Sequence, residues 1–331
     1  MKLYMHKKAE QIIEMLYKGT TYQELEKTLS LSNYEVNQII WQLKNCGYLI
    51  AFENKTLFLD KTATHIKNNI DIKTPIFNIK EKFVMLVFSD THFGMENDAI
   101  KEAGELLYFA SEEEVDAIIH AGDLIQGNYD EIDPSFNSAK FINTEENIQY
   151  VAENLPKIKK QSIYLLSGNH DYRSLKAEGI DFIKLFSMYR KDFIHLGYEI
   201  NDILLNNIQI VVHHPFSSSR SKTNSKTLKS KYYDKEIADF SRKQKHKFPK
   251  FIIRGHLHKE RLYELCNGVV LETAPFFHID NNPLRAYLIT VNFNENILQQ
   301  IQIEMLNVKH KVEKSEIYVK DYMNKSRKKY Y

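Results

Sequence analysis

Ala9, Ile12, Ile13, Leu16 and Tyr17 fall at i, i+3, i+4, i+7 and i+8, one face of an amphipathic helix, and Gly19 is placed to end it. A second short helix turns Tyr22, Leu25 and Leu29 inward. Ser32-Asn33-Tyr34-Glu35 has the form of a capping box ahead of a third helix, whose apolar stripe is Val36, Ile39, Ile40 and Leu43 and which ends near Gly47. Residues 48–52 and 56–59 then flank the polar tip Glu53-Asn54-Lys55 as a hairpin. A polar stretch at 61–80, carrying Thr74-Pro75, separates this from a different pattern. Continuous apolar runs at 83–88, 115–120 and 162–166 predict strands buried on both faces, interleaved with helices over 99–113, 138–155 and 179–189. Residues 198–200 and 208–212 predict later strands. Such alternation predicts an α/β architecture.

Composition narrows the class. Of 331 residues, 43% are hydrophobic and 27% charged, which is enough apolar surface to offset the entropy of folding and excludes wholesale disorder. The longest apolar run, 83–88, is far too short to span a bilayer, and the polar start at residues 1–8 does not read as a secretory signal. Cys46 and Cys266 stand far apart without C-x-x-C partners, so neither a disulfide framework nor a thiolate zinc site is expected, and a cytoplasmic location is.

Charge adds a partner. The formal total of +2 hides a segment at 217–250 with a net of +8 and another at 309–331 with +5, which leaves −11 on the remainder. Basic segments on an acidic body point to a polyanion, with nucleic acid first among the candidates.

Three helices and a hairpin in residues 1–62 resemble the winged helix-turn-helix domains of DNA-binding proteins. Asn33, Asn37, Gln38, Gln42, Lys44 and Asn45 would lie on the exposed face of the third helix, where amide side chains can pair with adenine edges. Against DNA reading, this segment holds eight Lys/Arg and seven Asp/Glu, too balanced to neutralise much phosphate. Dimerisation into a homo-oligomer, or docking of a protein partner, is an equal alternative. Residues 63–80 are read as linker, 81–306 as the second domain with a basic insertion at 217–250, and 307–331 as a basic tail.

The second domain places metal-ligand residue types after its strands, in the order Asp90-Thr91-His92, Gly122-Asp123, Gly168-Asn169-His170-Asp171, His213-His214-Pro215 and Gly255-His256-Leu257-His258. Each fragment alone is weak, but five in one order after apolar runs are not readily a coincidence. Residues 83–290 resemble the calcineurin-like metallophosphoesterase superfamily, with its D-x-H, G-D, G-N-H-[DE], H and G-H-x-H series. The resemblance implies a four-layer α-β-β-α sandwich binding two divalent ions. It implies one ion on Asp90, His92 and His258, a second on Asn169, His213 and His256, and Asp123 bridging both. Within the His213-His214 pair the first is the expected ligand and the second faces substrate or packs, the reverse order being left open. Carboxylate, imidazole and carboxamide donors suit Mn, and also Zn or Fe, better than soft copper.

The same resemblance makes His170 the acid that protonates the departing alkoxide while a hydroxide shared by the ions attacks phosphorus. Asp171 would orient His170 or, more blandly, cap the next helix, and Arg173 would contact phosphate or form an exposed ion pair. His120 reads as a core residue, and His195 and His278 carry no motif.

Gly122-Asp123-Leu124-Ile125-Gln126-Gly127 lacks the second Asp and the Arg of the serine/threonine protein phosphatases, which disfavours that substrate class. Ser89-Asp90-Thr91-His92-Phe93-Gly94 resembles the opening of SbcD-type nucleases. With the +8 segment lying between two motif turns and interleaved with Tyr232, Tyr233, Phe240 and Phe248, the expected activity is a nuclease cleaving phosphodiesters. The alternative is a phosphodiesterase or phosphatase for small nucleotides, with the N-terminal unit as a dimer or docking module.

Overall fold

The computed structural model describes residues 8–45, 50–53, 56–59, 72, 74–127, 139–141, 143–177, 180–216, 249–265, 268–279, 282–309 and 311–322. The basic segment expected at 217–250 therefore lies outside the described residues except for its last two.

The N-terminal unit consists of α1 (Ala9–Lys18), α2 (Tyr22–Leu29), α3 (Asn33–Asn45) and an antiparallel hairpin of β1 (Ile50–Glu53) and β2 (Thr56–Leu59). Its elements begin where the sequence puts their caps. Thr21 accepts from the Glu24 N–H at 3.1 Å while the Glu24 carboxylate accepts from the Thr21 N–H at 3.0 Å, and Ser32 and Glu35 repeat the exchange ahead of α3. Ile12, Leu16, Leu25, Val36, Ile39, Ile40 and Leu43 close into a core of their own, which Leu57 of the hairpin joins.

From residue 76 the chain builds two sheets. One has six strands: β3 (Ile76–Phe77), β8 (Ile200–Leu205), β9 (Ile208–His213), β10 (Phe251–Arg254), β11 (Arg261–Glu264) and β12 (Val269–Glu272), in the order β11-β12-β10-β9-β8-β3. The other has seven: β4 (Lys82–Phe88), β5 (Ala117–Ala121), β6 (Ile163–Ser167), β7 (Phe193–Tyr198), β13 (Leu284–Asn294), β14 (Ile297–Val308) and β15 (Val312–Asp321), in the order β15-β14-β13-β4-β5-β6-β7. Alternate residues of β4 explain its unbroken apolar run. Phe83, Met85 and Val87 enter a core shared by the two sheets, while Leu86 and Phe88 enter a core beneath the helices on the far side. Those helices are α4 (Ile100–Glu112), α5 (Thr144–Asn154), α6 (Asn169–Ala177) and α7 (Phe182–Tyr189).

Several expectations change. The 63–80 linker ends in a strand, since β3 pairs in parallel with β8. The 307–331 tail contains β15, a ten-residue edge strand whose Tyr318 packs toward the core between the sheets, so its alternating pattern outweighs its charge. The helix read over 179–189 is preceded by α6, hidden because its polar sequence gives no apolar stripe. The strand read over 198–200 is the junction of β7 and β8, where Glu199 takes a φ of +65°. Two sheets and one helical layer are present among the described residues; the fourth layer, over the outer face of the six-stranded sheet, is not among them. Val211, Ile252, Tyr263, Leu265 and Val270 form a buried apolar patch on that face.

Candidate metal centre

Strands β4, β5 and β6 run parallel in one sheet, and β9 and β10 run parallel in the other. The carboxyl ends of open parallel strands are where such sheets gather their ligands. Here the turns leaving these five ends deliver Asp90 and His92, Asp123, Asn169 and His170, His214, and His256 and His258, respectively.

The turns are locked to one another through the backbone. Asp90 donates its N–H to the Gly122 carbonyl at 2.9 Å, and the N–H groups of Thr91 and His92 both reach the Asp123 carbonyl at 3.1 Å. The His256 N–H crosses between sheets to the Asp90 carboxylate at 2.9 Å, and the His170 N–H donates to Asp123 Oδ1 at 2.8 Å. Asp90, His92, Asp123, His256 and His258 all have φ between +43° and +83°. Left-handed backbone at non-glycine residues costs energy and persists where the surroundings over-determine it.

Asp123 is the centre. Its Oδ2 lies 3.0 Å from His214 Nε2, 3.8 Å from His92 Nε2 and 3.9 Å from His170 Nε2. Donor atoms within 4.8 Å of one another form three overlapping groups: Asp90 with His92 and His258; His92 with Asp123 and His170; and Asp123 with His214 and His256. Asn169 Oδ1 joins the last group, 2.8 Å from His256 Nδ1.

The expected order within the histidine pair is corrected. Pairing of β9 with β10 sets His213 beside Arg254, and it is absent from all three groups, whereas His214 is fully buried against Asp123. Alternation along the strand decides this, because adjacent residues leave opposite faces of a sheet. Three motif glycines leave room for the His214 ring: a Cβ on Gly122 would come within 2.1 Å of it, and those on Gly168 and Gly255 within 2.7 Å.

Second partners orient the rings. His92 Nδ1 is 2.7 Å from Gln126 Oε1 and His214 Nδ1 is 2.8 Å from the Ala121 carbonyl, so each donates there and turns its Nε2 inward. His92 Nε2 and His258 Nε2 stand 3.1 Å apart, and His214 Nε2 is buried with no hydrogen-bond partner despite its closeness to Asp123. Imidazole nitrogens converging among buried carboxylates, one of them without a hydrogen-bond partner, are what a divalent cation satisfies, and the mixed O and N donor set suits a borderline-hard ion. These residues fit the ions that the motif series implies.

The buried charges of the cluster set one another's protonation. Burial alone would raise the Asp90 carboxyl, but the His258 hydrogen bond and the His214 charge outweigh it and hold it at about 2. Asp123 is likewise held well below the ordinary carboxylate range, against its burial, by His214 and His170. Burial pushes His92 down to about 3; for His214, burial is outweighed by Asp123, which drives it up to about 9.

His170 donates from Nδ1 to the Gln126 carbonyl at 2.9 Å, which leaves Nε2 facing Asp123. Burial lowers its pKa, Asp123 opposes this, and Arg173, half-buried on the next turn of α6, adds to the lowering. Asp171 does not orient His170. Fully buried, it accepts from the N–H groups of Leu124 at 3.3 Å, Ile125 at 3.0 Å and Gly168 at 2.8 Å, capping α6 and tying its start to the Asp123 turn. Burial, then the nearby Asp123, lifts its carboxyl to about 7. His120 sits beneath the site, 3.0 Å from Thr91 Oγ1, as a core residue, while His278 lies 3.5 Å from Glu102.

Sequence reading missed Gln126 and Thr91, whose partners are remote in the chain, and Phe277, which no motif contains. The amide face of α3 is only partly described. Asn37 donates to Asn33 at 2.8 Å and Asn33 to Glu26 at 2.7 Å, while the side chains of Gln38, Gln42, Lys44 and Asn45 lie outside the described residues. No helix among the described residues is long and apolar enough to cross a membrane.

Comparison with known proteins places the site in context. Residues 83–260 match the calcineurin-like phosphoesterases. Among solved structures, a conserved uncharacterized protein from Streptococcus pneumoniae, described as a predicted phosphoesterase, is similar at 14% identity and a TM-score of 0.37, covering 72% of this chain and 98% of its own. Vacuolar protein sorting 29 from Cryptosporidium parvum is similar at 11% identity and a TM-score of 0.41, covering 73% and 100%, and a dimetal phosphatase from Danio rerio at 10% and 0.40, covering 72% and 99%. No curated protein matches the chain.

Proposed function

The chain belongs to the calcineurin-like phosphoesterase family and is a metal-dependent phosphoesterase, and from that premise we propose that it hydrolyses phosphodiester bonds in nucleic acid. The observation that carries the reaction is the position of Asp123, fully buried between two donor groups, each of which draws residues from both sheets. Asp90, His92 and His258 would hold one ion with Asp123, and Asn169, His214 and His256 the other, with Mn²⁺ the first choice. Two such ions supply Lewis acidity toward the phosphoryl oxygens and a nucleophile at neutral pH.

The chain's own residues do the rest. Asp90 accepts the His256 N–H and so fixes the G-H-x-H turn, and Gln126 and Ala121 fix the tautomers of His92 and His214. With its ring anchored through Nδ1, His170 in its protonated form presents Nε2 as the atom placed to give a proton to the departing alkoxide. Arg173, whose charge is felt at His170, is the residue we assign to a non-bridging phosphoryl oxygen.

Polymer as substrate is supported by the +8 charge of 217–250, which leaves the site after His214 and returns to it before His256. It is supported too by the N-terminal unit, which we read as a winged helix and whose α3 approaches α6, the helix that begins with Asn169 and His170. A strand or partner held by that unit would be delivered beside the site.

The test is cleavage of end-labelled single-stranded DNA, duplex DNA and RNA in Mn²⁺, alongside bis(p-nitrophenyl) phosphate, by wild type, Asp123→Ala and His170→Ala. Polymer cleavage that Asp123→Ala abolishes is the expected result. Hydrolysis confined to small esters would overturn the polymer substrate and leave small nucleotides in its place.

A further inference from the structure

Phe276 and Phe277 leave the last connection before β13 on opposite sides. Phe276 is fully buried, its ring 5.5 Å from that of Phe88, whereas Phe277 is half-buried and turned to the metal centre. Its ring centroid lies 5.4 Å from both His92 and His258, edge-on to each at 87° and 74°. His258 is 36% exposed, so the cluster opens to solvent on this side.

The backbone that carries the ring is held firmly. The Phe276 N–H donates to the Asp90 carbonyl at 3.0 Å, and the His278 N–H to the Asn97 carbonyl at 3.0 Å. Asn97 Nδ2 returns a bond to the His278 carbonyl at 2.6 Å, and Phe277 itself bridges to Asp98 in antiparallel fashion. A half-buried aromatic side chain on a backbone fixed at both flanks, beside the proposed metal ligands, offers a ring to a bound ligand at little entropic cost.

The geometry points to Phe277 as a stacking platform for a nucleobase attached to the scissile phosphate. Phosphate over Asp90, His92 and His258 projects an ester group past this ring. Phenylalanine offers no hydrogen bond, so it selects a planar aromatic group by contact area and is indifferent to which base supplies it. The site then takes phosphodiesters of nucleosides in preference to those of aliphatic alcohols. This rests on the phosphodiesterase reading above.

The experiment compares binding of thymidine 5′-monophosphate, adenosine 5′-monophosphate and methyl phosphate to the full-length Mn²⁺-loaded protein by calorimetry. Wild type, Phe277→Ala, Phe277→Leu and Phe277→Trp are used, each checked for native circular dichroism. Both nucleotides should weaken by roughly 5- to 100-fold in the Ala and Leu variants, the range of a lost base–aromatic stack. Tryptophan should restore them, and methyl phosphate should stay within about twofold throughout, as no stacked group is involved. Equal weakening of all three ligands would mean that Phe277 only braces His92 and His258 and would overturn the proposal, as would no change in any. Failure of the wild type to bind any of the three would instead overturn the phosphodiesterase reading itself.

Discussion

In the N-terminal unit the chain folds as its local sequence prefers: Thr21 and Ser32 cap the helices that follow them, and Ile12, Leu16, Val36, Ile39 and Ile40 bury along helical stripes. At the strand ends of the second domain the reverse holds. Five residues of the metal centre take left-handed backbone, carboxylates and imidazoles are buried side by side, and the contacts that hold them join residues as far apart as Asp90 and His256. The first kind of structure is stabilised by each segment for itself, the second only by the assembled domain. Substitutions should therefore act differently in the two regions, and the largest contrasts come where tertiary contacts alone hold a group in place.

Gly168→Ala is the severest test. Its backbone needs no positive φ, but an added Cβ would lie 2.2 Å from Asp123 Oδ1, 2.6 Å from the Asp123 N and 2.7 Å from the His214 ring. Displacing the central carboxylate should lower kcat/KM by roughly 10²-fold or more and lower bound metal measured by atomic absorption. Melting of the N-terminal helices should be unaltered. Retention of full activity and metal would show that the turns adjust, contrary to the over-determined picture.

Asp171→Ala should cost stability rather than chemistry. It strands the buried N–H groups of Leu124, Ile125 and Gly168, an effect on the order of 3–5 kcal/mol in urea unfolding. If stability is unchanged while activity falls, Asp171 acts on His170 after all.

His195 sharpens the contrast from within the sheet. Buried on β7, with neither ring nitrogen hydrogen-bonded, it is pushed by burial from 6.5 to about 4. Between pH 6.5 and 4 the unfolded chain takes up a proton that the folded chain refuses, so stability falls across that window and levels off below it. His195→Phe should flatten the loss between pH 7 and pH 4 by about 3 kcal/mol. Equal pH dependence in both proteins would show that the ring finds a partner when protonated.

The same contrast explains what the sequence disclosed. The capping box at Ser32 and Glu35, the helical stripes and the double-sided strand at β4 are local patterns, and they were readable with boundaries close to those observed, whereas the box at Thr21 and Glu24 was passed over. Ligand-type residues were readable because each follows an apolar strand. The order of His213 and His214 was not, because it turns on which face of β9 each leaves, and the neighbouring proline marks no face. Helix α6 was hidden because it is held by Asp171 and by α7 rather than by an apolar stripe, and β15 was masked by its charge. Gln126 and Phe277 act on His92 from 34 and 185 residues away in the chain, distances at which no local pattern operates.

The smallest expected effect tests whether the two regions are independent. Thr21→Ala removes one half of the capping box of α2, leaving the Glu24 N–H without its side-chain acceptor, a loss of about 1 kcal/mol. If the N-terminal unit is stabilised segment by segment, hydrogen exchange should quicken in α1 to α3 by a factor of about five. Exchange in β4, β5 and β6 should not change, nor should turnover of bis(p-nitrophenyl) phosphate. Among the described residues, α3 against α6 is one point of contact between the regions. Were turnover to fall along with the N-terminal protection, the cap at Thr21 would be felt at Asn169 and His170 through that helix pair, and the N-terminal unit would be part of the site's support as well as its neighbour.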